Sequence, residues 1–171
     1  MAYSNTLISK IACLEKNAFS DAWSEDALAD ALKKDYNALY LAFDNQGEVV
    51  VEQIFCGMDT MGQLEKYALD IIHGQTEFIG YLISNFICDE SELLRVAVDF
   101  NYRNMHVGAL LMERYLTSKR DYIKNYYLEV RENNKPARHL YEKYGYQVIG
   151  FRKNYYRNPT ENAVIYSITS N

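Results

Sequence analysis

The sequence has little proline, little tryptophan and no long apolar run. Its 171 residues include 2 prolines and 1 tryptophan, and they contain no proline-rich linker, internal repeat or low-complexity tract. No stretch approaches the ~18 apolar residues that a membrane-spanning helix needs. The first residues, MAYSNTLISK, lack the charged start and apolar core of a secretory signal. We therefore expect a single domain over residues 1–171, cytoplasmic and without a membrane partner.

Positive charge is also in short supply. Lysine and arginine number 18 against 23 aspartates and glutamates, which gives a formal net charge of −5. Binding to a nucleic-acid backbone requires a clustered cationic footprint. We therefore expect no nucleic-acid partner, whereas a basic peptide partner is easier to accommodate.

Cysteine and histidine are too few and too scattered to predict a metal site. The three cysteines lack the close pairs of zinc and redox sites, and we expect them to be small buried side chains. The histidines show none of the paired spacings of metal-binding helices. These residues are Cys13, Cys56 and Cys88, and His73, His106 and His139.

The apolar pattern of the chain alternates between the periods of helices and strands. Helical spacing predicts helices over 5–18, 24–34, 61–73, 107–116 and 134–144, with Ser4 or Asn5 as the first N-cap and Ser24 as the second. Short β-branched or aromatic runs predict strands over 38–43, 48–55, 77–86, 92–98, 126–131, 146–152 and 163–168. The alternation predicts an α/β fold, with a mixed central sheet flanked by helices.

Residues 99–116, DFNYRNMHVGALLMERYL, lead from a predicted strand into a predicted helix. Such a junction can hold a phosphate group, because the first N–H groups of a helix have no partner within the helix. Taken alone, the loop is better explained as an ordinary strand-to-helix connection, since Gly108 is its only glycine.

Several ordered motifs around this loop resemble the GNAT family of acetyl-CoA-dependent N-acetyltransferases. They are V-A-V-D at 96–99, R-x-x-x-x-G at 103–108, L-E-V-R at 128–131, N-x-x-A-x-x-L-Y-E-K-Y-G-Y at 134–146 and N-Y-Y at 154–156. An earlier A-F at 18–19 and W-S-E at 23–25 extend the resemblance to the first helices. The closest likeness is to bacterial enzymes that acetylate the N-terminal alanine of a ribosomal protein. The resemblance implies the GNAT acyl-CoA N-acyltransferase fold.

The resemblance also implies residues that bind acetyl-CoA as co-substrate, without a metal. A strand ending at Val98 would pair its backbone with the pantetheine arm, and the loop and first helical turn would hold the pyrophosphate. Asn134 would contact the arm of the cofactor or serve only as an N-cap. The implied cofactor-binding residues are Val96, Ala97, Val98, Arg103, Asn104, Met105, His106, Val107, Gly108, Ala109 and Asn134.

By the same resemblance, two residues carry the chemistry of acetyl transfer. Glu129 would accept a proton from the amine and Tyr141 would donate one to the departing thiolate. From the pattern alone, Glu129 is a strand residue that faces solvent or pairs with Arg131, and Tyr141 is part of the packing face of a helix. Tyr155 and Tyr156 would border the acceptor peptide, or they belong to a solvated basic loop.

The chain departs from the family pattern in two places. His106 stands where the family loop has its first glycine, so its Cβ would crowd the phosphate unless its ring donates to it. Few residues precede the first helix, and about 30 additional residues follow the second family strand, near 48–76. We expect residues 48–55 to fill the vacant N-terminal edge of the sheet, with the helix over 61–73 packed against them.

These observations predict an N-acetyltransferase that moves an acetyl group from acetyl-CoA to a primary amine by direct attack on the thioester. The expected acceptor is the N-terminal alanine of a ribosomal protein. Two alternatives remain open: another acceptor, such as a different protein N-terminus, a polyamine or an antibiotic, or a non-catalytic module that binds acyl-CoA or another protein.

Overall fold

Helices and strands alternate along the chain, as the apolar periodicity predicts. The computed structural model describes residues 2–118 and 122–170. Its helices are α1 (Ala2–Ala18), α2 (Glu25–Leu32), α3 (Thr60–Ile72), α4 (Val107–Thr117) and α5 (Lys135–Lys143), with a 3-10 turn at Phe100–Tyr102. Its strands are β1 (Asn37–Asn45), β2 (Glu48–Phe55), β3 (Glu77–Ile87), β4 (Glu90–Val98), β5 (Asn125–Arg131), β6 (Gln147–Arg157) and β7 (Thr160–Thr169). Within these ranges, no helix combines the length and apolar character needed to cross a membrane.

The strands form one mixed sheet in the order β2-β1-β3-β4-β5-β7-β6. The pairs β1/β2, β5/β7 and β6/β7 are antiparallel, and β4/β5 is parallel. The parallel register joins residues 90–93 of β4 to residues 125–128 of β5. The predicted mixed sheet with accompanying helices is confirmed.

A two-residue turn joins β1 to β2. Asn45 pairs with Glu48, and the two residues between them, Gln46 and Gly47, have φ angles of 55° and 95°. Two successive positive φ values are typical of the type I′ turn, whose twist matches that of an antiparallel hairpin. The Asp44 carboxylate accepts a 2.7 Å hydrogen bond from the Gly47 N–H. The predicted hairpin is therefore formed by local turn chemistry.

The additional segment after β1 occupies the edge of the sheet. Strand β2 is the outermost strand on this side and pairs with β1 along its whole length. Helix α3 packs over the hairpin, where the Tyr67 ring stacks on Phe43 at 5.5 Å and the Tyr67 hydroxyl donates to Glu52 at 3.3 Å. The expectation that residues 48–55 fill the edge beneath this helix is confirmed.

The chain packs into two compact units, and the second starts within the strand pair β3/β4. The first contains residues 1–83 and 95–118, and the second contains residues 84–94 and 119–171. In the first unit, apolar side chains of α1, α2, α4 and β1 form a core in which Leu7, Leu28, Leu39 and Leu111 are fully buried. Burying each such side chain contributes about 1.5–3 kcal/mol relative to leaving it exposed.

A buried carboxylate ties α1 to the sheet of the first unit. Glu15 is fully buried, accepts a hydrogen bond from the Tyr81 hydroxyl of β3, and accepts another of 2.9 Å from the backbone N–H of Trp23. Arg95 of β4 lies 3.8 Å from the same carboxylate, and its guanidinium carbon is 4.7 Å from the centre of the Phe19 ring. Burial and the Glu15 charge raise the pKa of Tyr81, so this phenol stays protonated. The segment between α1 and α2 is fixed by these contacts.

The chain contains 16 tyrosines, and several of them bury the ring while the hydroxyl forms a hydrogen bond. Tyr40 is fully buried and shares a 2.8 Å hydrogen bond with Ser118 in the first unit. In the second unit the Tyr166 hydroxyl donates to Glu142 at 2.6 Å and accepts from Arg138 at 2.9 Å. A tyrosine buries a large apolar ring at low cost when its hydroxyl finds such a partner.

Three sequence expectations are wrong in detail. Helix α1 begins at Ala2, so neither Ser4 nor Asn5 is its N-cap, whereas Ser24 does cap α2 with a 3.1 Å hydrogen bond from the Ala27 N–H. Of the cysteines, only Cys56 is buried; Cys13 and Cys88 are exposed. Strands β6 and β7 extend over residues predicted as loop, because backbone pairing holds a strand even where its side chains are polar.

Glycine at position 80 allows β3 to lie close to β4. A Cβ added to Gly80 would stand 2.9 Å from the Ala97 carbonyl oxygen and 3.5 Å from a methyl carbon of Leu111. The first of these atoms is backbone and cannot turn aside. We predict that Gly80→Ala lowers the free energy of unfolding by about 1–3 kcal/mol, measured by urea denaturation.

The matched control is Gly150→Ala on β6, where the added Cβ would meet a methyl carbon of Ile165 at an ordinary 3.7 Å. This variant should keep its stability to within about 0.5 kcal/mol of the parent chain. Equal losses in the two variants would contradict the close-approach argument.

Candidate active site

The end of β4 carries the residues predicted to pair with the pantetheine arm. Val96, Ala97 and Val98 are the last three residues of this strand. Asp99 follows, and its Oδ1 accepts a 2.9 Å hydrogen bond from the Asn101 N–H at the start of the 3-10 turn. Their position at a strand end fits the predicted role, which stays a prediction.

Arg103 fixes the chain between β4 and α4. Its Nε donates a 3.2 Å hydrogen bond to the Val98 carbonyl oxygen, and its guanidinium carbon lies 5.6 Å from the centre of the Phe100 ring. The Phe100 ring is itself 78% exposed, so the contact is at the surface. Arg103 therefore has a local structural role in addition to its predicted contact with the cofactor.

Two residues of the loop adopt the left-handed conformation that favours glycine. Asn104 has φ of 62° and His106 has φ of 63°. His106 is the N-cap residue of α4, and its side chain makes no capping hydrogen bond. Asparagine tolerates this conformation comparatively well, whereas a histidine there costs more than a glycine would. The backbone at position 106 has thus kept the conformation that suits the family's glycine.

The loop and the first turn of α4 are compatible with a pyrophosphate group. Asn104, Met105 and His106 are exposed in the loop, and Val107, Gly108 and Ala109 form the first turn of an 11-residue helix. Such a helix start carries a partial positive charge and directs backbone N–H groups outward. The pyrophosphate role of these six residues remains a prediction that the geometry fits.

Glu129 lies on β5 in the second unit, where its carboxylate is next to a guanidinium group and a phenol. Its side chain is 18% exposed and forms an ion pair of 2.7 Å with Nε of Arg152 on β6. The Tyr155 phenol lies near the same carboxylate, and the Glu129 charge, followed by burial, raises the pKa of Tyr155. The carboxylate therefore has a defined orientation.

The suggested pairing of Glu129 with Arg131 is wrong. Arg131 faces the turn between β6 and β7, where it donates to the Pro159 and Asn158 carbonyl oxygens at 3.1 and 3.3 Å and lies 3.3 Å from Glu161. Glu129 and Arg131 are two residues apart on β5 and therefore face the same side of the sheet, but each forms its ion pair with a residue of another strand. Arg131 holds the turn that precedes β7.

An open cleft of about 390 Å³ lies in front of Glu129. Its charged lining consists of three carboxylates and one guanidinium, from Glu90, Glu92, Glu129 and Arg152. Asn85, Ser91 and Tyr127 add polar atoms, and Leu128 and Ile165 add apolar ones. A cleft with this excess of negative charge suits a protonated amine.

Tyr141 is almost fully buried on α5, at 4% exposure. Its ring packs against Tyr146 and Tyr166, with centroids 6.1 and 6.3 Å away. Burial raises the pKa of Tyr141, so the phenol keeps its proton throughout the physiological range. A hydroxyl that stays protonated can act as a hydrogen-bond or proton donor. The Tyr141 ring also belongs to the packing face of α5, as the helical pattern predicts.

Asn134 caps α5. Its Oδ1 accepts a 3.3 Å hydrogen bond from the Ala137 N–H, as an N-cap asparagine does. The amide nitrogen is the group that would donate to the cofactor arm, and that contact stays a prediction.

Tyr155 and Tyr156 belong to β6 and not to a solvated loop. Their rings meet edge to face at 5.1 Å, and the Arg131 guanidinium carbon lies 4.2 Å from the centre of the Tyr156 ring. The pairing of β6 with β7 shifts register between Arg152 and Tyr156, and Asn154 has φ of 51°. Their predicted role beside an acceptor peptide is not tested by these contacts.

No metal-binding group is found in residues 2–118 and 122–170, where three or more suitable side chains never come together.

Comparison with known proteins places this arrangement in a family. The family model described as "Acetyltransferase (GNAT) family" matches residues 9–146. The chain belongs to the acetyltransferase (GNAT) family. Acetyl-CoA is the co-substrate of this family, which the residues at the start of α4 fit. The GNAT fold predicted from the motifs is confirmed.

Curated relatives and a solved structure agree with this assignment. The ribosomal protein bS18-alanine N-acetyltransferase of Haemophilus influenzae is 36% identical over 60% of this chain and 73% of its own length. A Bacillus subtilis protein named putative ribosomal protein bS18-alanine N-acetyltransferase is 26% identical over 92% of this chain and 86% of its own. The crystal structure of the Escherichia coli ribosomal-protein-S18-alanine N-acetyltransferase superposes with a TM-score of 0.66 at 23% identity, covering 96% and 88% of the two chains.

Sequence reasoning missed two side chains that line the GNAT cleft. The apolar pattern places Glu92 at the start of one strand and Asn85 within another, and it gives no sign that both side chains line the cleft in front of Glu129. The signal was a charged residue within an otherwise apolar strand run, E-L-L-R-V-A-V. That signal is ambiguous, because a solvent-facing strand position produces the same alternation.

The left-handed conformation of His106 generates a prediction about stability. We expect His106→Gly to raise the free energy of unfolding by about 1 kcal/mol, because glycine adopts this φ without steric cost. Thermal and urea unfolding of the purified chain would measure the change. Asn104→Gly is the matched control and should gain less, since asparagine already tolerates the conformation; a larger gain at Asn104 would contradict the interpretation.

Proposed function

We propose that this chain transfers the acetyl group of acetyl-CoA to the N-terminal alanine of ribosomal protein bS18, acting as one domain in the cytoplasm. The observation that carries the proposal is the position of Glu129 in an open cleft with an excess of carboxylates. A protein N-terminus enters such a cleft as an ammonium group and must leave its proton there. The activity named for the Haemophilus influenzae relative supplies the acceptor.

The acceptor's own chemistry supports an N-terminal amine over a lysine. A free α-amine with a pKa of about 8 is roughly a tenth neutral at about pH 7, whereas a lysine amine near 10.4 is neutral to less than about one part in a thousand. Deprotonating an α-ammonium near neutral pH therefore costs little free energy, and a half-buried carboxylate is a sufficient base for it. Within this cleft, Glu129 would bind the ammonium and remove its proton before attack.

The remaining roles follow the resemblance and the positions of the residues. Val96–Val98 would pair their backbone with the pantetheine arm, and Arg103–Ala109 would hold the pyrophosphate at the start of α4. Asn134 would donate its amide N–H to the arm. Tyr155 and Tyr156 would border the acceptor peptide, whose backbone runs beside β6.

Tyr141 would supply a proton to the CoA sulfur as the carbon–sulfur bond breaks. A thiol of pKa about 8.5 is a moderate leaving group, and a neutral phenol within hydrogen-bond reach assists it. Because burial raises the pKa of Tyr141, the donor is present at every pH at which the chain stays folded near neutrality. Deprotonation of Tyr141 should therefore not lower the rate of acetyl transfer at any pH below about 10.

Turnover with defined acceptors tests the proposal. The full chain is mixed with acetyl-CoA and a ribosomal protein fraction, and mass spectrometry locates the acetyl group. We expect it on the N-terminal alanine of bS18, and not on the same protein with a blocked N-terminus. Acetylation of a lysine side chain would overturn the acceptor. Binding of acetyl-CoA without turnover on any amine would indicate a non-catalytic module, and absence of binding would reject both functions.

Replacing Tyr141 by phenylalanine separates its chemical role from its packing role. We predict that Tyr141→Phe lowers kcat by about 100-fold and changes acetyl-CoA affinity by less than about threefold, because only the hydroxyl is removed. Steady-state kinetics and calorimetric titration with acetyl-CoA measure the two quantities. Tyr146→Phe, on a ring packed against Tyr141, is the matched control. Equal losses of turnover and of binding in Tyr141→Phe would mean that Tyr141 is structural.

The CoA affinity of the His106→Gly variant shows whether the His106 side chain crowds the phosphate or binds it. We predict tighter binding, because the side chain is exposed at the loop, makes no capping hydrogen bond, and would bring its Cβ near the phosphate. Weaker binding would instead identify the imidazole as a phosphate ligand. Calorimetric titration with CoA, and with pantetheine as a ligand that lacks the pyrophosphate, separates the loop's contribution from the rest.

A further inference from the structure

The cleft contains a second carboxylate, Glu92, for which the proposed function has no role so far. Glu92 lies on β4 and pairs in parallel register with Tyr127 of β5, two residues before Glu129. Because side chains two residues apart share a face of a strand, Glu92 and Glu129 face the same side of the sheet on neighbouring strands. Both line the cleft.

Glu129 is already occupied by partners of its own chain. Arg152 lies 2.7 Å from one of its oxygens, and the Tyr155 phenol is near enough for the Glu129 charge to raise its pKa. An ammonium group that approached Glu129 would compete with the guanidinium for the same oxygens. Glu129 is thus well suited to orient Arg152 and Tyr155 at the cleft wall, and less suited to be the first group that an incoming cation meets.

Glu92 is held differently. The Asn85 side chain accepts a 3.1 Å hydrogen bond from the Glu92 N–H and donates one of 3.4 Å to Oε2 of Glu92, so an amide fixes the carboxylate without neutralising it. Over residues 2–118 and 122–170, no lysine or arginine forms an ion pair with Glu92. A cationic ligand can therefore approach Glu92 without displacing a lysine or arginine from an ion pair.

The groups around Glu92 act on its proton affinity in opposite directions. Burial raises the pKa of Glu92, the Asn85 hydrogen bond lowers it, the Glu129 charge raises it and Arg152 lowers it, with a net rise. The other titratable groups facing it are Glu90 on its own strand, Tyr127 on β5 and Tyr155 on β6. A carboxylate whose pKa is raised toward the working pH is a better proton acceptor.

We propose that Glu92 is a further catalytic residue, which binds the acceptor's α-ammonium and takes its first proton, while Glu129 with Arg152 and Tyr155 orients the amine. This inference rests on the proposed function and deepens it. It assigns the base role to a cleft carboxylate that forms no ion pair and is positioned by Asn85, in place of the one that the family motif singles out.

The proton and electron balance is complete with groups already named. One N–H bond of the ammonium breaks, its proton passes to a Glu92 oxygen, and the nitrogen keeps the electron pair. That pair forms the bond to the acetyl carbon, and the carbon–sulfur electrons leave with sulfur. Tyr141 gives sulfur a proton and regains one that the nitrogen loses as the amide forms. Glu92 returns its proton to solvent when the product leaves.

The pH dependence of a charge-removing variant distinguishes a base from a structural residue. We expect Glu92→Gln to lower kcat/KM for an alanine-terminated peptide by about 100-fold at about pH 6.5, where a free α-amine is mostly protonated. The loss should shrink to less than about tenfold at about pH 9, where the amine has lost its proton in solution. Tyr127 and Tyr155 have raised pKa values and stay neutral across this range.

Three variants complete the experiment. Glu92→Asp keeps a carboxylate and should retain the parent pH dependence. Glu129→Gln should lower kcat/KM by a similar factor at both pH values, because it disturbs orientation. Glu48→Gln, which removes the same charge from an exposed strand residue of β2, should match the parent chain. A loss in Glu92→Gln that is equal at both pH values would overturn the inference, whereas a parent chain that acetylates no N-terminal amine would overturn the proposed function instead.

Discussion

The buried carboxylate of Glu15 is the interaction on which the first unit depends. It joins α1 to β3 through Tyr81, to the segment before α2 through the Trp23 N–H, and to β4 through Arg95. Removing one partner of such a group leaves a charge in the interior without compensation, which costs about 3–5 kcal/mol. Because Arg95 immediately precedes Val96, the same network also fixes the strand end that leads to the candidate cofactor loop.

Much of the fold could be predicted because its signals are local. The turn D-N-Q-G specifies the hairpin between β1 and β2. Ser24 and Asn134 cap α2 and α5, so the predicted starts of these helices differ from the observed ones by no more than one residue. The edge position of β2 followed from the resemblance to the GNAT fold, because few residues precede α1 and the usual first edge strand is therefore missing. Helix α1 was placed too late because Ala2 and Tyr3 carry no start signal.

The candidate site was predictable as a set of motifs but not as a set of contacts. The motif around L-E-V-R identified Glu129, yet its cation, Arg152, is 23 residues away, at the end of the strand predicted over 146–152. Which side chains meet across two strands depends on how the strands are aligned, and the side-chain pattern of one strand does not determine this alignment. Glu92 was missed for the related reason that burial of a strand carboxylate depends on neighbouring strands.

The irregular part of β6 explains how two side chains of one strand reach the same carboxylate. Arg152 and Tyr155 are three residues apart, so in a regular strand they would face opposite sides of the sheet. From Arg152 to Tyr156, however, β6 advances four residues while β7 advances two, from Ala163 to Glu161. The additional residues, with Asn154 in the left-handed conformation, break the alternation as a bulge does. Both side chains can then lie beside Glu129. The neighbouring Glu92 forms no ion pair in the described part of the chain.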